Sequence, residues 1–225
     1  MPILCYVTDR HTLQASPQKR LIEALLEKIE AVAAADVDWI QLREKDLSGK
    51  ESDLLTREVL RRVSKLAIGV PASPRILVND RLDVALAEPS DGVHLGENSL
   101  PVEDARRLLL AFRTTHALAR DFLIGVSCHS PEAARSAAAA GADYIFFGPV
   151  FATPSKAAYG APQGLERLAE VCSSVNIPIL AIGGISLANA ASCFSAGASG
   201  IAAIRLFQES ADPVGVVRAL RGQSS

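Results

Sequence analysis

Short apolar runs alternate along the whole chain with stretches of helical spacing, and this alternation constrains the fold more than any other feature. The candidate strands are residues 3–8, 38–43, 75–79, 92–95, 123–127, 144–147, 179–182 and 200–204. Most of them are continuously hydrophobic, as expected of parallel strands that helices cover. Eight βα units of this kind close into a barrel. The sequence therefore predicts an α/β protein made of a single (β/α)8 TIM barrel domain over residues 1–225.

The segments between the candidate strands have helical patterns and recognisable ends. Residues 20–34 place apolar side chains three or four positions apart along one stripe. Residues 130–140 begin with Ser130 as the N-cap before a proline, and Gly141 marks their end. Residues 186–195 show a similar pattern. These segments supply the helices that a barrel needs.

An open doubly wound sheet is the alternative architecture. That fold usually has fewer strands or carries a nucleotide-binding fingerprint, and the sequence contains neither GxGxxG nor a Walker A motif. Residues 105–121 are long for one helix, so we expect a loop near residues 114–116. Aromatic residues make up only 5% of the chain, which predicts a mainly aliphatic core.

Charge and cysteine content exclude several classes of protein. The formal net charge is −2, which gives no indication of a nucleic-acid or membrane surface. The four cysteines have no paired or metal-type spacing, so we expect reduced, partly buried thiols. The start MPILCYVTDR reaches charged residues too early for a signal peptide, and no apolar run approaches the roughly 20 residues of a membrane span. We expect a cytoplasmic protein; a homo-oligomer stays open.

Two basic residues follow the second candidate strand. By strand alternation Gln41, Arg43 and Lys45 share one face. Two bases facing the barrel interior are costly unless an anion pairs with them, which favours a phosphate site. The alternative is that Glu44, Asp46 and other carboxylates neutralise them in a structural network.

Other polar residues interrupt the strand ends, where a barrel carries its active site. Asn79 and Asp80 follow the third strand, and Asp80 opposite a basic cluster suggests a Mg²⁺ bound with a diphosphate. Ser127 and His129 share a face after the fifth strand. His129 is a candidate for proton transfer, although a lone histidine at a helix start is more often structural.

The last two anion-binding features follow strands six and seven. Thr153, Ser155 and Lys156 lie in a loop with glycine and proline on either side, and their hydroxyl and ammonium groups suit a phosphate. Gly183 and Gly184 precede a predicted helix, where free backbone N–H groups bind anions. The sequence thus predicts two anion sites, one basic and one formed largely by backbone.

Seven segments that span nearly the whole chain carry a resemblance to a known family. They are YVTDR (6–10), QLREKD (41–46), LVNDRLDVALA (77–87), DGVHLG (91–96), GVSCHS (125–130), GADYIFFGPVFATPSK (141–156) and IPILAIGGI (177–185). In these segments and their order the chain resembles the thiamine-phosphate synthase family and that family's barrel relative, the thiazole tautomerase.

The resemblance implies a transferase that joins hydroxymethylpyrimidine diphosphate to a thiazole phosphate and releases diphosphate, with Mg²⁺ as cofactor. Departure of diphosphate leaves a pyrimidinylmethyl cation that the thiazole nitrogen attacks. Such chemistry depends on charge stabilisation and positioning more than on acid–base groups.

The resemblance also implies a role for each matched residue. Asp80 would bind Mg²⁺. The pyrimidine diphosphate would be held by Gln41, Arg43, Lys45 and Asn79, with Ser127 and Lys156 completing the diphosphate site. The thiazole phosphate and the remaining substrate contacts would involve His129, Thr153, Ser155, Gly183, Gly184, Ile204 and Arg205.

Two positions depart from the family pattern. Where the family has GQED, whose Asp is a second Mg²⁺ ligand, this chain has Ser99 preceded by Glu97 two positions earlier. Where the family has a serine on the thiazole phosphate, this chain has Arg205, which either pairs with the phosphate, fills its space, or forms an outward surface ion pair. These departures keep two alternatives open: a tautomerase-type isomerase that uses His129, and a non-catalytic barrel that binds a thiazole or thiamine phosphate.

Overall fold

The computed structural model describes residues 1–13, 20–66, 73–114, 121–153 and 161–223. Parallel strands form a closed barrel in chain order, and they are β1 (Ile3–Val7), β2 (Trp39–Leu42), β3 (Arg75–Asn79), β4 (Gly92–Leu95), β5 (Leu123–Cys128), β6 (Tyr144–Phe147), β7 (Ile179–Ile182) and β8 (Gly200–Ala203). Pairing of β1 with β8, with Ile3 opposite Gly200, closes the barrel. The predicted fold is confirmed, and each predicted strand boundary lies within one residue of the observed one.

Helices surround the barrel: α1 (Leu21–Ala34), α2 (Gly49–Leu66), α3 (Leu82–Ala87), α4 (Val102–Arg113), α5 (Pro131–Ala139), α6 (Gly164–Ser174) and α7 (Ala190–Ser195). A 3₁₀ turn, Arg10–Thr12, follows β1, and α8 (Arg205–Gln208) and α9 (Pro213–Gly222) follow β8. The predicted ends of α5 are confirmed: Oγ of Ser130 accepts the N–H of Ala133 at 3.1 Å, and Gly141 has a φ of +93°.

Two helix predictions need comment. The helix predicted over 186–195 begins only at Ala190, because the Asn189 side chain accepts the N–H of Ser186 at 2.8 Å and donates to the carbonyl of Gly184 at 3.0 Å. Such side-chain bonds to nearby backbone stabilise a turn in place of a helical one. Helix α4 ends at Arg113, and Thr114 lies in a turn, as the length of that segment suggested. Residues 115 and 116 lie outside the described residues.

The barrel has two apolar layers of different composition. Between strands and helices the side chains are mainly aliphatic, as predicted. The barrel interior is different, since it holds Trp39, Tyr144 and Phe146, with ring centroids of Trp39 and Tyr144 4.7 Å apart. Gly125 makes room for this packing, because a Cβ there would lie 1.9 Å from the Tyr144 ring. Three aromatic side chains thus fill part of the barrel interior, and Trp39 and Tyr144 come from the first residues of β2 and β6.

A repeated carboxylate contact joins the strands at the opposite, N-terminal end. An aspartate before each of β2, β4 and β6 accepts a backbone N–H from the preceding strand: Asp38 from Leu4 at 2.7 Å, Asp91 from Ile76 at 2.8 Å and Asp143 from Ile124 at 2.7 Å. These contacts hold neighbouring strands in register at the N-terminal end of the barrel. The carboxyl ends of the strands, where a barrel carries its active site, lie at the other end.

Cys5, Cys128, Cys172 and Cys193 are free thiols, as predicted, and Cys172 alone among them is not fully buried. In the described part of the chain, no helix combines the length and the apolar character that crossing a membrane requires.

Candidate active site

The basic pair predicted after β2 lies beside the end of β3. Strand alternation places Gln41 inside the barrel, but β2 ends at Leu42 and the alternation ends with it. Beyond the strand, Arg43 is half-buried and Lys45 is exposed. The pKa of Lys45 is lowered, first by the positive charge of Arg43 and then by partial burial, while Asp80 acts in the opposite direction. The three charged groups therefore form one cluster, in which two cations face one carboxylate.

Two carboxylates that adjoin this pair in the sequence, Glu44 and Asp46, are engaged elsewhere. Arg10, in the turn after β1, binds Glu44 through Nη1 at 3.0 Å and Asp46 through Nη2 at 2.5 Å. Among the described residues, neither Arg43 nor Lys45 has an ion-pair partner within 4.0 Å. Glu44 and Asp46 therefore do not neutralise Arg43 and Lys45, because Arg10 holds both carboxylates, while Asp80 is the carboxylate that faces the pair.

A cavity of about 260 Å³ opens next to the cluster, between the β2–α2 and β3–α3 connections. Its polar lining includes Lys45, Asp80 and Arg81, and its apolar wall includes Leu42 and Val78. Asp80 reaches this position with a φ of +65°, a conformation that aspartate adopts more readily than most residues. Its N–H donates to the carbonyl of His94 at 2.8 Å, which ties the β3 end to β4.

Gln41 and Asn79 meet inside the barrel, as the sequence predicts for neighbouring strand ends. Nε2 of Gln41 donates to Oδ1 of Asn79 at 2.8 Å. Gln41 is 1% exposed, and its Oε1 has no hydrogen-bond partner among the described residues. Because a buried unpaired acceptor is costly, this oxygen is a contact point for a donor on a bound molecule.

Ser127 lies against a histidine that sequence reasoning did not select. Nε2 of His94 is 2.9 Å from Oγ of Ser127, and Nδ1 of His94 is 3.1 Å from the Tyr144 hydroxyl. The His94 ring is 2% exposed and stacks on Phe146 with centroids 4.2 Å apart. His94 occupies the same side of β4 that Asn79 occupies on β3, so strand alternation applied to DGVHLG was the signal that could have found it.

His129 lies just beyond β5 and is half-buried. Its Nδ1 contacts the carbonyl oxygen of Gly148, which precedes the cis bond to Pro149. A carbonyl only accepts, so Nδ1 carries the proton in this contact, and in the neutral ring Nε2 is the acceptor. His129 thus connects the end of β5 to the β6 loop, and its contact with a substrate stays a prediction.

The β6 loop and the β7 loop extend the sheet beyond the strands. The N–H of Val150 donates to the carbonyl of Ile182 at 2.9 Å, and that of Phe151 donates to Gly183 at 3.0 Å. Thr153 follows on this loop and is partly buried. The predicted phosphate residues Ser155 and Lys156 lie outside the described residues, so their roles stay predictions.

Gly183 and Gly184 adopt φ values of +94° and +66°, which only glycine reaches without strain. A Cβ on Gly184 would lie 2.6 Å from the carbonyl oxygen of Ala152. The glycines therefore let the β7 loop pack directly on the β6 loop. Because α7 begins at Ala190, the expectation that a helix starts immediately after them is wrong, and any anion here would meet loop backbone.

Ile204 and Arg205 follow β8 at the same end of the barrel. Ile204 packs against the apolar interior and caps α8, whose Gln208 N–H donates to its carbonyl at 2.9 Å. Arg205 is half-exposed, and its Nε lies 3.6 Å from Glu209. This is the outward surface ion pair of the three arrangements considered; a contact with phosphate stays a prediction.

The turn after β4 holds Ser99 at the expected second metal position. Oγ of Ser99 accepts the N–H of Gly96 at 2.7 Å and so shapes the turn after β4. Glu97 is exposed. The pKa of the Cys128 thiol is raised to about 12, first by burial of the thiol and second by the negative charge of Glu97. Within the described residues, no three His, Cys, Asp or Glu side chains come together as a metal-binding group.

Comparison with known proteins gives a consistent result. Residues 4–207 match the family model described as thiamine monophosphate synthase. A thiamine-phosphate synthase of Roseiflexus sp. is 42% identical over 218 residues, which cover 97% of this chain and 83% of the relative. One from Methanoculleus marisnigri is 45% identical over 189 residues, covering 84% and 82%. The solved thiamine phosphate pyrophosphorylase of Pyrococcus furiosus superposes with a TM-score of 0.77 at 30% identity, covering 98% of this chain and 94% of that one.

Proposed function

The chain belongs to the thiamine monophosphate synthase family, and on that premise we propose that it is a thiamine-phosphate synthase, a transferase of thiamine biosynthesis. It joins hydroxymethylpyrimidine diphosphate to a thiazole phosphate. The bond between the pyrimidine methylene and the diphosphate oxygen breaks, and a bond from the same methylene to the thiazole nitrogen forms. The products are thiamine phosphate and diphosphate.

The observation that carries this proposal is the cation pair Arg43 and Lys45, which outnumbers the one carboxylate, Asp80, described as facing it. Two cations without ion-pair partners among the described residues hold a local positive charge at the carboxyl ends of β2 and β3. A departing diphosphate gains negative charge as its bond breaks, so preplaced cations stabilise the transition state more than the ground state. A monophosphate-binding isomerase has no use for this arrangement.

The barrel interior supplies the pyrimidine half of the site. The unpaired Oε1 of Gln41 would accept a hydrogen bond from the ring's amino group, and Asn79 holds the Gln41 amide in place at 2.8 Å. Ser127 would donate to the departing diphosphate. Fixed positioning of this kind matters because the reacting atoms must meet within about 3–3.5 Å.

The loops after β6, β7 and β8 supply the thiazole phosphate half. Thr153 and the backbone of Gly183 and Gly184 would bind the phosphate, with Ser155 and Lys156 contributing from the adjoining segment. Ile204 would contact the thiazole ring. Arg205 would leave Glu209, 3.6 Å away, to reach the phosphate, since an exposed pair at that distance is weak.

Mg²⁺ fits the donor set when it is shared with the substrate. Mg²⁺ commonly uses one or two protein carboxylates together with phosphate oxygens and water, and Asp80 offers one exposed carboxylate beside the cation pair. When bound, the ion would neutralise part of the diphosphate charge. Replacing Ser99→Asp would add the second carboxylate and should lower the Mg²⁺ concentration needed. The proposal includes a cytoplasmic location, where the phosphorylated substrates would be made.

The test is to incubate the protein with both substrates and Mg²⁺ and to measure thiamine phosphate and diphosphate. We expect both products in equal amounts. Lys45→Met should lower the rate sharply, whereas Lys65→Met, an exposed lysine in the last turn of α2, should leave it unchanged. Absence of product at every Mg²⁺ concentration would contradict the proposal. Interconversion of thiazole tautomers without formation of thiamine phosphate would identify the isomerase alternative instead. Binding of a thiazole or thiamine phosphate without either reaction would identify the non-catalytic alternative.

A further inference from the structure

Arg10 is a buried cation with an unusually complete set of partners. Its side chain is 11% exposed, and that of Glu44 is 3% exposed. Besides the contact to Glu44, Nη1 binds Oδ1 of Asp46 at 2.7 Å while Nη2 binds Oδ2 of the same carboxylate at 2.5 Å. This bidentate geometry is the strong form of an arginine–carboxylate pair. Arg10 thereby fixes both carboxylates of the β2–α2 connection.

Glu44 is held from a second side by the backbone of the β1 turn. Its Oε1 accepts the hydroxyl of Thr8 at 2.7 Å, and its two oxygens accept the N–H of Arg10 at 3.2 and 3.1 Å. Oγ of Thr8 in turn accepts the N–H of Arg43 at 2.9 Å. The carboxylate is therefore directed towards the β1 turn, although it lies between Arg43 and Lys45 in the sequence.

The β1 turn is itself anchored to the last βα unit. Oε1 of Gln208 accepts the Tyr6 hydroxyl at 2.7 Å and the N–H of Asp9 at 3.2 Å. Nε2 of Gln208 donates to the carbonyl of Asp9 and to the hydroxyl of Thr12. Gln208 is 3% exposed, so these bonds are shielded from water. Arg10 is consequently oriented by contacts that do not involve the carboxylates it binds.

We propose that Arg10 is a positioning residue for the diphosphate half of the site: it sequesters Glu44 and Asp46 and so keeps Arg43 and Lys45 available for the anion. This inference rests on the proposed function. Without the guanidinium, Glu44 would be a buried carboxylate lacking its cation, and the nearest cations in sequence are Arg43 and Lys45. Because burying an unpaired charge is costly, Glu44 would turn to one of them and compete with diphosphate.

The experiment compares variants in their binding of inorganic diphosphate with Mg²⁺, by calorimetry, and in KM for each substrate. Arg10→Met keeps the length of the side chain and removes its charge. We expect Kd for diphosphate and KM for the pyrimidine diphosphate to rise about tenfold, the scale seen when a group that orients a binding residue is lost. KM for the thiazole phosphate should change less than twofold, because that half uses other loops.

The decisive variant adds Glu44→Gln and Asp46→Asn to Arg10→Met. Removing the released carboxylates should restore diphosphate affinity to within about threefold of the unmodified protein, on the same scale of loss. A merely structural role would leave the triple variant as weak as Arg10→Met, and that result would overturn the inference. Unchanged diphosphate affinity in Arg10→Met would overturn it as well.

Two further proteins separate folding from positioning. Arg62→Met is the matched control, since Arg62 is also a partly buried arginine with several carboxylates, Glu23, Glu30 and Glu58, but belongs to the α1–α2 contact. It should leave diphosphate affinity unchanged. If Arg10→Met does not fold, Arg10→Gln also removes the charge while keeping a polar side chain, and it should show the same rise in Kd; no rise would overturn the inference. If the unmodified protein neither binds diphosphate nor forms product, the result would instead contradict the proposed function, and with it this inference.

Discussion

Nε2 of His94 lies 2.9 Å from Oγ of Ser127, so a buried histidine one residue before the end of β4 orients a hydroxyl one residue before the end of β5. Nδ1 of the same ring is 3.1 Å from the Tyr144 hydroxyl. If Ser127 donates to the departing diphosphate, Ser127→Ala should lower kcat by about a hundredfold, as the loss of one preorganised donor does. Steady-state kinetics check this, and an unchanged kcat would contradict the role.

Tyr144→Phe tests the outer end of the same contact. The change removes one hydrogen bond to His94 and keeps the ring that packs on Trp39 at 4.7 Å. We expect a loss of about 1 kcal/mol in the free energy of unfolding, the usual value of one buried hydrogen bond. Urea denaturation measures it. Tyr144→Phe should also lower kcat, but by less than Ser127→Ala does. A larger loss of kcat in Tyr144→Phe than in Ser127→Ala would mean that Tyr144 acts directly on the substrate.

Gly184→Ala should weaken the thiazole phosphate site. The new Cβ would meet the carbonyl oxygen of Ala152 at 2.6 Å and would require a strained φ of +66°. Gly164→Ala is the matched control, because Gly164 has a φ of +76° and nothing within 4 Å of its built Cβ. Gly164→Ala should lose about 1–2 kcal/mol from the left-handed backbone, and Gly184→Ala should lose more because of the added clash, both measured by urea denaturation. A raised KM for thiazole phosphate is expected for Gly184→Ala alone; equal effects would contradict the packing argument.

Diphosphate binding should take up protons at alkaline pH. Arg43 and partial burial lower the pKa of Lys45 in the free protein, and a bound anion favours the ammonium and raises it again. Between those two pKa values binding adds a proton, so affinity should fall as pH rises through the lower one. Calorimetry in buffers of different ionisation enthalpy measures the uptake.

Lys45→Arg is the control for that measurement, because a guanidinium stays protonated throughout this range. Ionisation of diphosphate itself contributes equally to both proteins, so their difference isolates Lys45. Equal proton uptake by the two proteins would show that Lys45 does not bind the anion.

Asp80→Asn should raise the Mg²⁺ concentration for half-maximal rate about tenfold, since it removes the exposed carboxylate that faces Lys45. Asparagine tolerates the φ of +65°, so stability should be nearly unchanged. Asp83→Asn, which removes a carboxylate bound to Arg81, should leave the Mg²⁺ dependence as it is. A Mg²⁺ titration of the rate distinguishes these outcomes, and equal curves for the unmodified protein and Asp80→Asn would contradict the metal role.

Much of the fold could be predicted because its signals are local. Continuous apolar runs identified every barrel strand to within one residue, and Ser130 with Gly141 identified both ends of α5. The prediction failed at α7, where the Asn189 side chain stabilises a turn by binding the backbone of Gly184 and Ser186. A propensity pattern cannot distinguish that turn from a first helical turn.

The sequence by itself determined the barrel and the set of polar strand ends, because the period of hydrophobic residues and the residues after each strand are properties of neighbouring positions. Only the tertiary structure decided which of those groups are paired. Glu44 and Asp46 adjoin Lys45 in the chain, yet they bind Arg10, which is 34 and 36 positions away from them. His94 likewise meets Ser127 at a separation of 33. An ion pair or a hydrogen bond depends on distance and shared burial, and the closure of the barrel sets both.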